Sequence, residues 1–239
     1  MNAEWNDLRP ESGHPTPHPA PRTPLLKVKV CGLTTRDDAL ATVAAGADWI
    51  GLNFHPASPR KIDPDTASAI VAALPASAEA VGVFVDRPPE EVAAVAARVG
   101  LRIVQLHGGE PPEDLLALRH LRVVRAFRLA DDRTIAAMVA YLRRAADLGR
   151  MPDAVLVDAF VAGQPGGTGR AIAPDLLDHL PPLPHLILAG GLTPENVAER
   201  VARVRPWMVD VAGGVERAPG RKDQARVAAF VRQARGAWS

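Results

Sequence analysis

The sequence predicts an α/β protein, a single (β/α)₈ barrel of the TIM type, and three observations point to it. A β-branched stretch, a glycine or polar residue at its carboxyl end and an alanine-rich amphipathic segment recur about eight times, which indicates alternating strands and helices. Ala80–Val85 is uniformly apolar, as is typical of a strand buried on both faces of a parallel sheet. The length of 239 residues suits one barrel of about 250 residues.

The strands are predicted from these β-branched stretches. The first carries the only cysteine of the sequence, and a glycine or polar side chain follows most of the others. In chain order the predicted strands are Lys27–Leu33, Asp48–Phe54, Ala80–Val85, Ile103–His107, Val123–Phe127, Ala154–Asp158, Leu186–Gly191 and Met208–Gly214.

The helices are predicted between the strands, for a total of eight. Thr34 or Thr35 caps the first helix, and Gly46 ends it. Its buried face is predicted to hold Ala39, Leu40 and Val43. Further helices are predicted over Pro64–Leu74, Pro89–Arg98, Pro112–Arg119 and Asp132–Asp147, then from Thr193 onward and over Asp223–Arg235. The glycine-rich segment Gly163–Arg170 is predicted to be a lid or a ligand-binding loop.

The composition limits the class of protein. With 47% hydrophobic and 23% charged residues, the chain has enough apolar mass for a sizeable core. A net charge of +1 gives no electrostatic reason to expect nucleic acid or an acidic membrane as a partner. One cysteine makes no intramolecular disulfide, and no stretch approaches the roughly 18 apolar residues of a membrane span. We therefore expect a cytoplasmic location.

The amino-terminal segment differs from the rest of the chain. Residues 1–25 are proline-rich and lack an apolar face, so we predict a disordered leader, with residues 26–239 forming the barrel. His14 and His18 lie in this leader. Two histidines in a tail sometimes bind metal, but solvated tail residues are the simpler interpretation, and we predict no metal site.

Two double-glycine pairs follow the last two predicted strands. In a (β/α)₈ barrel the active site lies at the carboxyl ends of the strands, and phosphate often binds after strands seven and eight. Gly190–Gly191 and Gly213–Gly214 expose backbone N–H groups there, which suits a phosphate. Each pair alone is equally compatible with a turn that needs glycine. Their joint occurrence at both places favours a phosphate site.

Several chemically active side chains lie at the predicted strand ends. They are Cys31, Asn53, Arg60, His107, Asp158 and Asp210. Cys31 and Asp158 would face each other across the barrel mouth, where a thiol and a carboxyl group can act as base and acid on a substrate between them. From position alone, a small core cysteine and a helix-capping aspartate remain open alternatives.

Seven segments of the sequence form a specific pattern. They are Lys29–Thr34, Ser58–Arg60, Val81–Val85, Gln105–Gly108, Gly166–Gly169, Ala189–Leu192 and Asp210–Glu216. In their order and spacing they resemble the phosphoribosylanthranilate isomerase family of tryptophan biosynthesis, and the match spans nearly everything from Val28 to Arg235. The resemblance implies an Amadori rearrangement of N-(5-phosphoribosyl)anthranilate to 1-(2-carboxyphenylamino)-1-deoxyribulose 5-phosphate, with no cofactor.

The resemblance also implies roles for individual residues. Cys31 would be the general base and Asp158 the general acid, while Arg60 would pair with the anthranilate carboxylate. The remaining residues implied to bind substrate are His107, Gly167, Gly190, Gly191, Gly213 and Gly214. Cys31 has to lose a proton, and we expect the pKa of its thiol to be lowered by a nearby cation, for which His107 and Arg60 are the candidates, or by the amide dipoles of the phosphate site.

One departure from the family pattern and two rival functions remain. Ala212–Gly213 replaces two serines that the family often carries, so we expect weaker substrate binding.

Another phosphate-binding barrel enzyme would share the glycine loops. Among these, an indole-glycerol-phosphate synthase would need a catalytic lysine at a strand end, and neither Lys27 nor Lys29 is placed convincingly. A non-catalytic phosphosugar-binding barrel is the second rival. We expect a phosphorylated small molecule as partner and a monomer or homodimer.

Overall fold

The strands close into a single parallel barrel. The computed structural model describes residues 25–159, 174–183 and 185–238. Each strand pairs with the next along the chain, and the eighth pairs with the first. The strands are β1 (Lys27–Cys31), β2 (Trp49–Asn53), β3 (Glu79–Phe84), β4 (Ile103–Leu106), β5 (Arg122–Leu129), β6 (Ala154–Ala159), β7 (Leu186–Leu188) and β8 (Met208–Val211). The predicted (β/α)₈ barrel is confirmed.

Helices connect the strands around the outside of the barrel. They are α1 (Arg36–Ala44), α2 (Pro64–Ala73), α3 (Pro89–Val99), α4 (Asp114–Ala117), α5 (Asp132–Asp147), α6 (Pro174–Asp178), α7 (Val197–Val204) and α8 (Gln224–Gly236). A 3₁₀ turn (Gly213–Val215) and an antiparallel pair, β9 (Glu216–Ala218) and β10 (Arg221–Lys222), follow β8. Among the described helices, none has the length and apolar character needed to cross a membrane.

Helix α7 begins at Val197, so the predicted start at Thr193 is wrong. The Asn196 side chain accepts a hydrogen bond from the Thr193 N–H and donates one to the Gly191 carbonyl. These bonds hold residues 193–196 in a turn beside β7. An asparagine that bonds its local backbone in this way competes with the helix.

The buried face of α1 also differs from the prediction. Thr35 caps the helix by accepting a hydrogen bond from the Asp38 N–H, as one of the two predicted caps. Ala39 and Thr42 are fully buried, whereas Leu40 is only half-buried. Residues three apart share a helix face, so small side chains bring this face close to the barrel.

The barrel interior is apolar below its mouth. Its packed layers contain Trp49, Val81, Ile103, Val124, Ala126, Ala154, Leu156, Ile187, Ala189 and Met208. Residues two apart on a strand point to the same side, so Asp158 follows Leu156 inward on β6 and Asp210 follows Met208 on β8. The polar side chains therefore lie above a closed apolar floor, at the carboxyl ends of the strands.

Two predictions concern segments for which the structure gives no description. The leader prediction covers residues 1–25, of which 1–24 lie outside the described residues. The glycine-rich loop 163–170, with Gly167, also lies outside them. The domain boundary and the loop's role therefore stay predictions.

Candidate active site

A cavity of about 160 Å³ opens at the carboxyl ends of the strands. It is lined by the predicted site residues Cys31, Arg60, His107, Asp158, Gly190, Gly191, Gly213 and Gly214, together with Asn53 and Asp210. The structure thus brings together every predicted site residue except Gly167, which lies outside the described residues. A concave site with convergent polar side chains is typical of small-molecule binding.

Cys31 occupies the last position of β1, where a glycine on the neighbouring strand makes room for it. Gly51 of β2 is its register partner. A Cβ built on Gly51 would lie 2.6 Å from Cys31 Sγ and 2.9 Å from Cys31 Cα, so any larger residue would force the thiol to move. The side chain of Cys31 is half-buried and lines the cavity.

The thiol of Cys31 is surrounded by charge but has a raised pKa. Burial raises the pKa of Cys31, and the positive charges of Lys29 and Lys222 lower it less than burial raises it. The expectation of a pKa lowered by His107 or Arg60 is therefore wrong. The main opposing cations instead come from β1 and β10, because these strands flank the thiol.

His107 and Asp158 face each other across the mouth of the cavity. Their Nε2 and Oδ2 atoms are 3.5 Å apart, and both side chains are largely buried. On its other side, the Nδ1 atom of His107 lies 2.7 Å from Gln105 Nε2. With the glutamine amide in this orientation, its nitrogen donates to Nδ1, which places the proton of a neutral ring on Nε2. Nε2 lies on the side of the predicted acid and has no hydrogen-bond partner among the described residues.

Arg60 is held at the cavity edge by a glycine and a glutamate. Gly32 has φ +83°, and a Cβ there would lie 2.5 Å from Arg60 Cδ, so the arginine stem packs directly on the backbone. Arg60 Nε donates to Glu216 Oε1 at 2.9 Å, and Nη2 donates to Oε2 at 2.8 Å. This two-point contact fixes the plane of the guanidinium group.

Lys222 links the ends of the first and last barrel strands. Its fully buried Nζ donates to the carbonyl oxygens of Cys31 at 2.6 Å and Ala212 at 3.2 Å. It also donates to Glu216 Oε1 at 2.8 Å. Lys222 was not among the predicted site residues, because β10 lies in a polar segment with no strand periodicity. Glu216 lay in a family-like segment, but its partners were not predicted.

A second buried ion pair lies beneath the thiol. Lys29 and Asp210 are register partners on β1 and β8, and Lys29 Nζ lies 2.7 Å from Asp210 Oδ2. Burial lowers the pKa of Lys29, but Asp210 and Cys31 raise it more, so it lies above its ordinary value. Lys29 is therefore a buried cation. The sequence feature that could have identified Lys29 is its position inside an apolar strand, two residues before the cysteine.

The two glycine loops come into direct contact. A Cβ on Gly214 would lie 1.9 Å from the Leu192 carbonyl oxygen, so only glycine fits where the β8 loop crosses the β7 loop. Gly190 and Gly191 have φ values of +86° and +60°, which glycine adopts without strain. Both loops therefore have structural reasons for glycine, and phosphate binding stays a prediction.

The described residues contain no group of three His, Cys, Asp or Glu side chains with the geometry of a metal site. His14 and His18 lie outside them. The side chains that line the cavity include a thiol, a carboxyl group, an imidazole and a guanidinium group.

Comparison with known sequences identifies close relatives along most of the chain. Residues 28–233 match the sequence profile of N-(5'phosphoribosyl)anthranilate (PRA) isomerase. The N-(5'-phosphoribosyl)anthranilate isomerase of Geobacter sulfurreducens is 47% identical over 212 residues, covering 89% of this chain and all of the relative. That of Pseudomonas fluorescens is 44% identical and covers 89% of this chain and 97% of the relative.

Solved structures give the same result. Phosphoribosyl anthranilate isomerase from Thermotoga maritima superposes with a TM-score of 0.77 at 35% identity, covering 89% of this chain and all of that one. A phosphoribosyl anthranilate isomerase in complex with reduced 1-(o-carboxyphenylamino)-1-deoxyribulose 5-phosphate has a TM-score of 0.74 at 35% identity, with the same coverage. The chain belongs to the N-(5'-phosphoribosyl)anthranilate isomerase family.

Proposed function

We propose that Cys31 and Asp158 catalyse the isomerisation of N-(5'-phosphoribosyl)anthranilate as general base and general acid. The supporting observation is their placement in one cavity, on β1 and β6, with β7 and β8 between them in the barrel. The two glycine loops follow β7 and β8. A substrate whose phosphate lies on these loops would extend its sugar between the thiol and the carboxyl group.

Two of the proton transfers in the reaction are assigned to these residues, and the later tautomerisation moves a proton from the C2' hydroxyl to C1'. Asp158 donates a proton to the ribose ring oxygen, the C1'–O bond breaks, and the nitrogen lone pair forms an iminium ion. Cys31 then removes the C2' proton, and the electrons of this C–H bond neutralise the iminium to give an enolamine. Tautomerisation yields the ketone, so the aldose is oxidised at C2' and reduced at C1' without a cofactor. Each positioned acid or base is worth about 10²–10⁴-fold.

The neighbours of both groups suit these roles. The cationic iminium nitrogen acidifies the adjacent C–H bond, so a thiolate of moderate basicity suffices. His107 Nε2 lies 3.5 Å from Asp158 Oδ2, close enough for a small movement to let it donate to the carboxylate that remains after proton transfer. A hydrogen bond to a carboxylate favours its charged form.

Arg60 is proposed to bind the anthranilate carboxylate. Glu216 occupies the Nε side of the guanidinium group, and Arg60 carries five N–H donors in total. The group lines the cavity, so a substrate carboxylate can bind on its other edge. Glu216 then acts as the partner that orients the guanidinium group before substrate arrives.

The experiment is steady-state turnover of freshly prepared phosphoribosylanthranilate, followed by fluorescence, for the wild type, Cys31→Ser and Asp158→Asn. Both variants are expected to lose about 10²-fold or more in kcat. Asp65→Asn, an exposed change on α2, is the control and should retain wild-type turnover. Absence of wild-type turnover in folded protein, or near wild-type rates in both variants, would refute the proposal.

A cytoplasmic location and a monomeric or homodimeric state are part of the same proposal. A T. maritima relative is described as dimeric. Light scattering on the purified chain distinguishes the two assemblies, and any larger assembly would contradict this part of the proposal.

A further inference from the structure

Lys29 lies directly beneath the proposed base. It is two residues before Cys31 on β1, so both side chains point into the barrel. Cys31 reaches the cavity, whereas the side chain of Lys29 is fully buried. The ammonium group is thus enclosed between the apolar floor of the barrel and the thiol.

Asp210 anchors this ammonium group from the adjacent strand. Its Oδ2 lies 2.7 Å from Lys29 Nζ, and the two residues are register partners. Asp210 Oδ1 is buried without a hydrogen-bond partner among the described residues. Burying such a pair costs free energy compared with apolar side chains of similar size, so barrel stability does not explain its presence.

Four charged side chains face the thiol. Lys29 acts from β1, Asp210 from β8, Lys222 from β10 and Arg60 from the loop after β2. The β2 residue opposite the thiol, Gly51, carries no charge. Lys222 and Arg60 share a single carboxylate partner, Glu216. Of the four, Lys29 has the strongest Coulomb interaction with the thiol.

We infer that Lys29 is a positioning residue for the isomerase reaction, and that its buried ammonium group, anchored by Asp210, favours the thiolate form of Cys31. This inference rests on the proposed role of Cys31 as the base. The buried Lys29–Asp210 ion pair takes no direct part in the two proton transfers, and this inference gives it a role in the reaction.

The test measures the thiol itself instead of turnover. The full chain has one cysteine, so the pH dependence of iodoacetamide alkylation reports the pKa of Cys31 alone. Loss of an opposite charge within about 4–6 Å shifts a pKa by about 1 unit or more. Lys29→Met is therefore expected to raise the apparent thiol pKa and slow alkylation near neutral pH by about tenfold.

Three further variants complete the test. Lys29→Arg keeps the charge and is expected to retain alkylation within about threefold of wild type. Lys27→Met is the matched control, because Lys27 lies on the same strand but packs on the Trp207 ring, and it should leave the thiol unchanged. Lys29→Met alone leaves the buried carboxylate of Asp210 without its partner, which can prevent folding. The double variant Lys29→Met/Asp210→Asn also removes that charge, so it provides a folded protein for the test if Lys29→Met does not fold.

The outcomes separate this inference from the proposed function. The double variant should raise the thiol pKa by less than Lys29→Met, because Asp210 opposes Lys29 at the thiol. An unchanged or lowered thiol pKa in the folded Lys29 variants would overturn the inference, even with normal turnover in the wild type. In the wild type, the pH profile of kcat/KM, which reports groups of the free enzyme, should follow the alkylation profile. Inactivity of Cys31→Ser concerns the proposed function alone.

Discussion

Replacing Glu216 with glutamine tests the charge network that supports the cavity. Glu216 accepts hydrogen bonds from Arg60 Nε and Nη2, from Lys222 Nζ and from the Gly220 N–H. Its side chain is 5% exposed, and that of Lys222 is fully buried. Glu216→Gln preserves the shape of the side chain but leaves two cations next to each other without a carboxylate.

The size of the effect follows from the distances. At 2.8 Å for each cation, the Coulomb attraction is about 6 kcal/mol per pair at an effective dielectric constant of about 20. Desolvation of the charges offsets part of this energy, and breaking a buried pair by removing one partner typically costs about 3–5 kcal/mol. We expect the free energy of unfolding to fall by that amount, and the Tm by about 6–20 °C.

Urea unfolding followed by circular dichroism provides the measurement. The control is Asp65→Asn, which breaks the Asp65–Arg98 pair of similar length, 2.7 Å, with side chains 82% and 59% exposed. Such surface pairs contribute about 0–1 kcal/mol. If Glu216→Gln costs no more than this control, the account of the buried network is wrong.

The stabilisation that Glu216 provides should depend on pH. Burial raises the pKa of Glu216, but Arg60 and Lys222 lower it more, so the folded state holds this pKa below its ordinary value. Its stabilisation is therefore present above the unfolded-state pKa and is lost as the pH falls through the folded-state pKa. The stability difference between wild type and Glu216→Gln should shrink in acid, and a difference constant down to low pH would contradict this assignment.

Two further substitutions and one titration test the packing of other residues. Gly51→Ala pushes a methyl group against Cys31, so it should cost about 1–3 kcal/mol in urea unfolding and lower turnover; a cost under about 0.5 kcal/mol would contradict the tight packing. Gly213→Ser supplies a hydroxyl at a position where a Cβ fits, 3.4 Å from Arg60 Nη2. One added hydrogen bond to the substrate phosphate contributes about 1 kcal/mol of binding free energy, so KM should fall about fivefold. An unchanged KM would exclude a phosphate contact. Burial raises the pKa of Tyr141, the only tyrosine, to about 12, so an absorbance titration with a midpoint near the ordinary value of about 10 would contradict its packing.

The barrel could be predicted because each of its units is a local pattern. Asp132–Asp147 was predicted with the observed bounds, since its apolar stripe and its Asp131 cap both lie within one short window of sequence. The start of α7 was not predicted. A Thr-Pro-Glu start is typical of a helix, but the bond from Asn196 to the Gly191 carbonyl depends on where β7 places that loop.

The predicted site residues could be found because their chemistry follows strand ends. Each of Cys31, His107 and Asp158 directly follows or ends an apolar run, so the strand pattern that places the barrel also places the side chain at its mouth. The extent to which these side chains are buried could not be predicted from the same pattern. The raised pKa of Cys31 results mainly from burial, which Lys29 and Lys222 offset only in part. No single segment of the sequence indicates how the other parts of the chain enclose the thiol.

The long-range contacts of the buried lysines were out of reach for a stronger reason, which is the closure of the barrel. Lys29 and Asp210 are 181 residues apart, and Lys222 and Cys31 are 191 apart. They meet only because β8 pairs with β1 in one register, and a shift of one residue would turn every side chain of β8 to the opposite face. The last pairing of the barrel therefore also assembles the charges around Cys31, so the reactivity of this thiol depends on correct closure of the whole barrel.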